Sequence, residues 1–211
     1  MEDLLIRIHN IINTCWESFS AKVGGGLIEI NKEASMQLHF AYLLKNNLDL
    51  AIHHADEAIK VELETGINVN GRLREADIII SITKDDKIQK LPIELKCYKT
   101  YTSNGSLRGA QDLFRFGIYE DLQLLEAYTN NQDFIQGLQL TMTDSRVFGF
   151  PNSTKGKGWG YNTANGNSII NGFDVSIPIA GNPDASITLT KNYQFNWVEI
   201  NNFYFLKLQG N

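Results

Sequence analysis

Cysteine is nearly absent: Cys15 and Cys97 are the only two in 211 residues. That excludes a disulfide-stapled scaffold and leaves no cysteine-rich ligand set for structural zinc. His53 and His54 are adjacent, so on a helix they point apart, and neither has a Cys or His partner at ligand spacing. An excess of basic charge is also missing. The formal net charge of −5 gives no overall footprint for nucleic acid, although a local basic groove is compatible with an acidic total. No stretch approaches the ~20 apolar residues of a membrane span. The first residues, MEDLLIRIHN, carry an acidic pair instead of a basic n-region. The expected setting is therefore a reducing cytoplasm, with free thiols, no secretory leader and no membrane partner. There is no internal repeat and no strongly biased tract. What remains is ordinary for a globular chain, 43% apolar and 20% charged.

Periodicity supplies the elements. Leu4, Leu5, Ile8, Ile11, Ile12 and Cys15 recur near a spacing of 3.6 and predict a helix over 2–19, broken by the glycines at 24–26. Asn31 reads as the cap of a second helix over 32–47, and a third helical piece is expected over 49–58. The pattern then changes to period two. KVELET (60–65), READIIISI (74–82) and LPIELKCYK (91–99) predict three consecutive strands, with TKDDKIQK (83–90) as a polar hairpin loop. A long helix over 107–130 and a strand over 134–143 follow. Residues 149–186 are rich in Gly, Asn and Ser, and 187–208 return to β pattern. This order argues for an α/β fold with a mixed central sheet flanked by helices. The division expected is a core over 1–148 and a β-rich C-terminal appendage over 149–211, packed on the core.

LPIELKCYK is the informative stretch. Its apolar residues alternate with Pro92, Glu94, Lys96 and Tyr98, so an acid and a lysine share one face of a strand. The fragment alone says little, since Asp85 and Lys87 repeat the same spacing in a polar loop. The neighbouring strand decides. Its isoleucines fall on both faces, which predicts burial on both sides and puts Asp77 near or inside a sheet. A carboxylate there needs a cation or good hydrogen bonds. A hairpin through 83–90 pairs residues whose numbers sum to about 173, which sets Asp77 opposite Lys96 with Glu94 one diagonal step away. Two carboxylates and a lysine at one point make a hard-oxygen site for Mg²⁺, which takes one or two carboxylates plus water and phosphate oxygens.

Asp77, then Glu94-Leu95-Lys96, within helix, three strands, helix and strand, resembles the PD-(D/E)XK nuclease superfamily over roughly residues 30–143. Ala76 stands where the family pattern has proline. The resemblance implies a restriction-endonuclease-like fold and Mg²⁺- or Mn²⁺-dependent phosphodiester hydrolysis. It implies Asp77 and Glu94 as metal ligands and Lys96 as the catalytic lysine. It also implies an acid on the preceding helix, the slot filled by Glu33 with Gln37 one turn on. Arg108, Gln111 and Arg115 are candidates for a further contact from the helix after the Glu94–Lys96 strand. The implied partner is nucleic acid, most simply double-stranded DNA cut in a restriction or defence setting, with a homodimer for cleavage at a symmetric site.

Plainer readings stand beside these. Glu94 and Lys96 also fit a solvated face of an edge strand, where Pro92 would be at home. Glu33 also fits a favourable charge at a helix N-terminus. Glu62 and Glu64 read as a solvent face. Arg72 and Arg74 fit either a grip on phosphate or ion pairs with Glu75 or Glu62. Lys155, Lys157, Trp159 and Tyr161 in a Gly-rich loop fit backbone tracking and base stacking, or simply a long hairpin whose Asn and Gly residues set turns. The functional alternatives to a nuclease are a catalytically silent nucleic-acid-binding or assembly module of the same fold, and an interaction protein with no site at all.

Overall fold

The computed structural model describes residues 1–102, 104–156, 158–179 and 182–211. Two helices open the chain, α1 (Glu2–Gly24) and α2 (Glu33–Asn47), followed by one 3₁₀ turn (Leu48–Ala51). The third helical piece expected over 49–58 is confined to that turn. Glu57 instead begins β1 (Glu57–Val69), which runs through an Asn70–Gly71 turn into β2 (Arg72–Lys84). β3 (Lys87–Tyr98), α3 (Gln111–Tyr128) and β4 (Leu138–Thr143) complete the sequence-predicted core. Next come β5 (Ser168–Ile169), β6 (Phe173–Ser176), β7 (Ser186–Leu189), β8 (Tyr193–Gln194), β9 (Trp197–Ile200) and β10 (Phe203–Leu208).

Six strands form one mixed sheet in the order β1-β2-β3-β4-β10-β9. The β3–β4 pair is parallel and is bridged by α3, while the other pairs are antiparallel. β9 and β10, which fall in the expected appendage over 149–211, extend the central sheet, because β10 pairs with Gln139 to Thr143 of β4. Two small ribbons, β5–β8 and β6–β7, occupy the intervening segment.

Strand alternation divides the core into two layers. Leu91, Ile93, Leu95 and Cys97 of β3 join Ile78, Ile80 and Ile82 of β2 beneath α1 and α2, against Phe19, Phe40 and Met36. Each such side chain contributes about 1.5–3 kcal/mol by leaving water. Tyr98, Phe114, Tyr119, Phe148, Tyr161 and Leu206 form the second layer around α3 and the C-terminal segment. Glu57 ties α1 to the hairpin from inside: its buried carboxylate accepts from Arg7 at 2.7 Å, Lys84 at 2.9 Å and the His53 amide at 2.8 Å. Arg7 above all holds that carboxyl well below the usual range.

One irregularity positions the site. Ile59 and Val61 pack under α1 and α2, yet Ile67 and Val69, of the same parity on β1, pack against α3. The alternation reverses across Glu64, whose φ of 48° is left-handed and which lies between the pairs Leu63–Ile78 and Thr65–Ala76. Asp77 lies opposite this kink.

Candidate active site

The β2–β3 ladder ends at Ile78–Ile93. Beyond it β2 pairs only with β1, while Glu94 to Tyr98 pair only with β4, so the two strands splay apart. Splaying frees backbone N–H groups on the β2 side of β3, and a buried free N–H must find an acceptor. Two carboxylates supply it. Asp77 Oδ2 accepts from the Leu95 amide at 2.6 Å, and Glu33 Oε2 accepts from the Cys97 amide at 3.0 Å. Gln37, one turn after Glu33 on α2, donates to the Asp77 carbonyl at 2.9 Å and to Glu64 at 2.6 Å. The acid on the preceding helix thus reaches the gap between the strands, instead of merely decorating a helix end.

The pairing register differs from expectation. Partners sum to 171, not about 173, which sets Asp77 level with Glu94. The reason is the turn: 83–90 is not a loop, since only Asp85 and Asp86 leave the strands, both at positive φ (50° and 59°) as in a two-residue type I′ turn. The slip is an even number of residues, so every side chain keeps its face.

Glu94 and Lys96 do not face solvent. β3 is interior to the sheet, and its even-numbered residues lie beneath α3, leaving Glu94 5% exposed. The Leu95 and Cys97 amides point toward β2, so the nitrogen of Pro92 points toward the β4 side, ahead of the first β3–β4 pair, Ile93–Leu138. Proline therefore costs no ladder bond in an interior strand.

Three α3 residues meet that face at helical spacing. The Tyr128 hydroxyl donates to Glu94 Oε1 at 2.8 Å. Asp121 Oδ1 lies 3.2 Å from Lys96 Nζ. Gly117, one turn earlier, borders the lysine stem: a Cβ there would be in ordinary contact, 3.5 Å from Lys96 Cε. Sequence pattern does not single out Asp121 or Tyr128. The one signal for them is an aspartate in the apolar stripe of Phe114, Ile118, Leu122 and Leu125.

The electrostatics follow from one lysine among several buried acids. Burial pushes the Asp77 carboxyl up to about 6 against the pull of the Leu95 amide. Burial, then the charges of Asp121 and Asp77, raise Glu94 well above the usual carboxylate range. Asp121 is raised by burial although Lys96 opposes it, and its Oδ2 is buried without a hydrogen-bond partner. Burial disfavours the charged Lys96, but Asp121, Glu33 and Asp77 outweigh it and hold the ammonium firmly protonated. The cluster holds more acids than one lysine can pair, and burial makes them retain protons that a cation could displace. Among the described residues no group of three or more His, Cys, Asp and Glu side chains is placed to hold a metal ion. Asp77 and Glu94 are the two strand carboxylates that could serve as donors, and one or two carboxylates with water and phosphate is the set Mg²⁺ takes.

The remaining candidates scatter. Arg74 is exposed at the rim, where its charge reaches Glu120 beside Asp121. The pairing of Arg72 or Arg74 with Glu62 does not form; Glu62 takes Lys60 at 2.7 Å instead. Arg108 sits past the end of β3, its carbonyl accepting from the Tyr98 hydroxyl at 2.6 Å. Gln111 is exposed at the start of α3. Arg115 is not brought to the site. It is 3% exposed and stacked over Trp159 at 4.0 Å and Phe148 at 5.1 Å, which makes it a packing residue. Tyr161 is fully buried and donates to the Ile177 carbonyl at 3.2 Å, so it is not free to stack on a base, while Trp159 is half-buried with Arg115 over its ring. Lys155 is exposed, and Lys157 lies outside the described residues. No long hairpin forms among the described residues of 153–168; turns there are pinned by side chains such as Thr163, which donates to the Phe148 carbonyl at 3.0 Å. Among the described residues no helix is long and apolar enough to cross a membrane.

Comparison with family models, with curated proteins and with solved structures returns no match.

Proposed function

We propose that the chain is a metal-dependent nuclease that hydrolyses phosphodiester bonds, acting on DNA, with Asp77, Glu94, Lys96 and Glu33 as its working residues. The observation that carries this reading is the splay after Ile78–Ile93, beside which lie two strand carboxylates, a half-buried lysine and a helix acid. Residues chosen only for stability would not place two buried acids, Glu94 and Asp121, and the half-buried Asp77 around one cation, since each costs desolvation. Asp77 and Glu94 would hold Mg²⁺ or Mn²⁺. When bound, the ion supplies a water of lowered pKa and neutralises charge on the phosphodiester.

The chain's own residues do the rest. Tyr128 fixes the Glu94 carboxylate through its hydroxyl. Lys96, held protonated by the surrounding acids, orients the attacking water and stabilises negative charge on the pentacovalent phosphorus. Asp121 holds Nζ in place from the helix side. Glu33 and Gln37 fix the splayed strand ends, so the carboxylates need no rearrangement on binding. Cleavage on both strands at a symmetric sequence would call for two copies.

The test is incubation of plasmid DNA, single-stranded DNA and RNA with the protein in Mg²⁺, Mn²⁺ or EDTA, beside Asp77→Asn, Glu94→Gln and Lys96→Gln. Cleavage is expected only with metal and is expected to fall about 10²–10³-fold in each variant that melts as a folded protein. Binding of nucleic acid without cleavage under any condition would leave the silent module. Neither binding nor cleavage would remove the nuclease reading.

A further inference from the structure

We infer that the groove between the β1–β2 turn, α3 and β7 is a track for the phosphate backbone of one nucleic-acid strand, gripped by Arg72 and Arg74. The inference rests on the nuclease reading and adds where substrate enters. The groove has a volume of about 640 Å³. Asn70, Arg72 and Arg74 line one wall, Gln123 and Ala127 the second, and Ser186 and Thr188 the third.

Three observations carry it. First, Arg72 and Arg74 are both exposed and have no ion-pair partner among the described residues. An arginine that stabilises a fold is ordinarily paired or stacked, as Arg7 and Arg115 are here. Two on one wall with their donors free are ready for a polyanion. Second, they stand at alternate positions of one strand, so their side chains share a face about 7 Å apart, close to the spacing of neighbouring phosphates. Third, two elements lead from the groove to the site: Arg74 is three residues before Asp77 on β2, and Gln123 is two residues after Asp121 on α3. The neutral lining suits the same ligand: Gln123 gives its Oε1 to the Thr188 amide at 2.7 Å, which leaves its NH₂ group as a donor toward the groove, beside the exposed Ser186. The net acidity of the chain then has a purpose, since it confines attraction for a polyanion to this strip.

The experiment measures equilibrium binding of a labelled duplex and a labelled single strand to the full chain in Ca²⁺ across a salt series. Arg72→Ala/Arg74→Ala and Arg74→Glu are compared with the parent. Both substitutions are at exposed positions, and a melting curve checks each. Loss of two phosphate contacts is expected to weaken binding about 10–100-fold near physiological salt. It is also expected to reduce the slope of log K against log salt by nearly two. Unchanged affinity and slope would overturn the track, and cleavage by the parent would then leave the nuclease reading standing. Binding that depends on both arginines, by a parent that never cleaves, would keep the track and remove the nuclease. An acidic peptide binding through these arginines more tightly than either nucleic acid would overturn the choice of ligand.

Discussion

Lys96 and Asp121 are each costly to bury alone and tolerable together. The Asp121 side chain is 8% exposed, and its one charged contact among the described residues is the 3.2 Å approach of Lys96. Lys96→Met should therefore cost about 3–5 kcal/mol, since it strands a buried carboxylate. Adding Asp121→Asn should recover most of that loss, because the stranded charge goes with it. Urea unfolding of the two single variants and the double variant measures the coupling, and strict additivity would show that the pair does not exist in solution. Asp77 makes a second prediction. Its folded-state pKa, about 6, lies above the ordinary 3.8 because of burial, so the folded protein binds the extra proton. That contribution to stability is complete below about pH 4 and lost as pH rises through about 6. Glu94 and Asp121, also raised, act in the same direction. Under the proposed function, Mg²⁺ at Asp77 and Glu94 would take the place of those protons. The rise in melting temperature on adding Mg²⁺ should therefore be larger near pH 8 than near pH 5, and Asp77→Asn should flatten the difference. Asp77, Glu94 and Lys96 are legible in the sequence because charge interrupts apolar strands. Asp121 is hidden because a single polar residue in a helical stripe carries no period of its own.

Between residue and fold, the β2–β3 turn shows how a short element sets a site. Asp85 and Asp86 both adopt positive φ, a conformation that costs an L-residue about 1–2 kcal/mol and glycine almost nothing. Asp86→Gly should stabilise the protein by about 1 kcal/mol and raise its melting temperature by about 2–4 °C. The register of 171 should be unchanged, so Mg²⁺-dependent cleavage should be retained. A variant that melts lower would show that the Asp86 side chain contributes more than its backbone strain removes. The same turn explains the error of two in the expected pairing. Lys87, Gln89 and Lys90 look like loop residues because they are polar, yet they lie in β3, at the end of the sheet where strand faces meet water. Polar composition signals exposure, and exposure is not the same as absence of a ladder. The helices are easier to read. Their apolar stripes are local and long; the ends of α1 and α3 move, where the Gly24–Gly26 run and the left-handed Ala110 set the limits, α2 starts at Glu33 with Lys32 in the cap position expected of Asn31, and the piece expected over 49–58 shrinks to the Leu48–Ala51 turn.

The whole molecule is joined across a distance that local pattern does not encode. β4 ends at Thr143, yet its partner β10 begins at Phe203, inside the stretch that reads as a C-terminal appendage. The alternation of FYFLKL identifies a strand but not which edge it joins, since pairing choice is a long-range matter settled by burial. In the fold that choice is firm. Phe205 enters the layer under α1 and α2, whereas Tyr204, Leu206 and Leu208 enter the layer around α3, so β10 contributes to both cores. Truncation after residue 148 should therefore fail to leave a folded core. It would strip β4 of its antiparallel partner, uncover both apolar faces at that edge, and remove Tyr193, whose hydroxyl donates to Glu126 of α3 at 2.9 Å. The truncated chain is expected to lack a cooperative thermal transition, with aggregation driven by the open β4 edge. A chain ending at 148 that melts cooperatively, or that still shows Mg²⁺-dependent cleavage, would restore the two-part division.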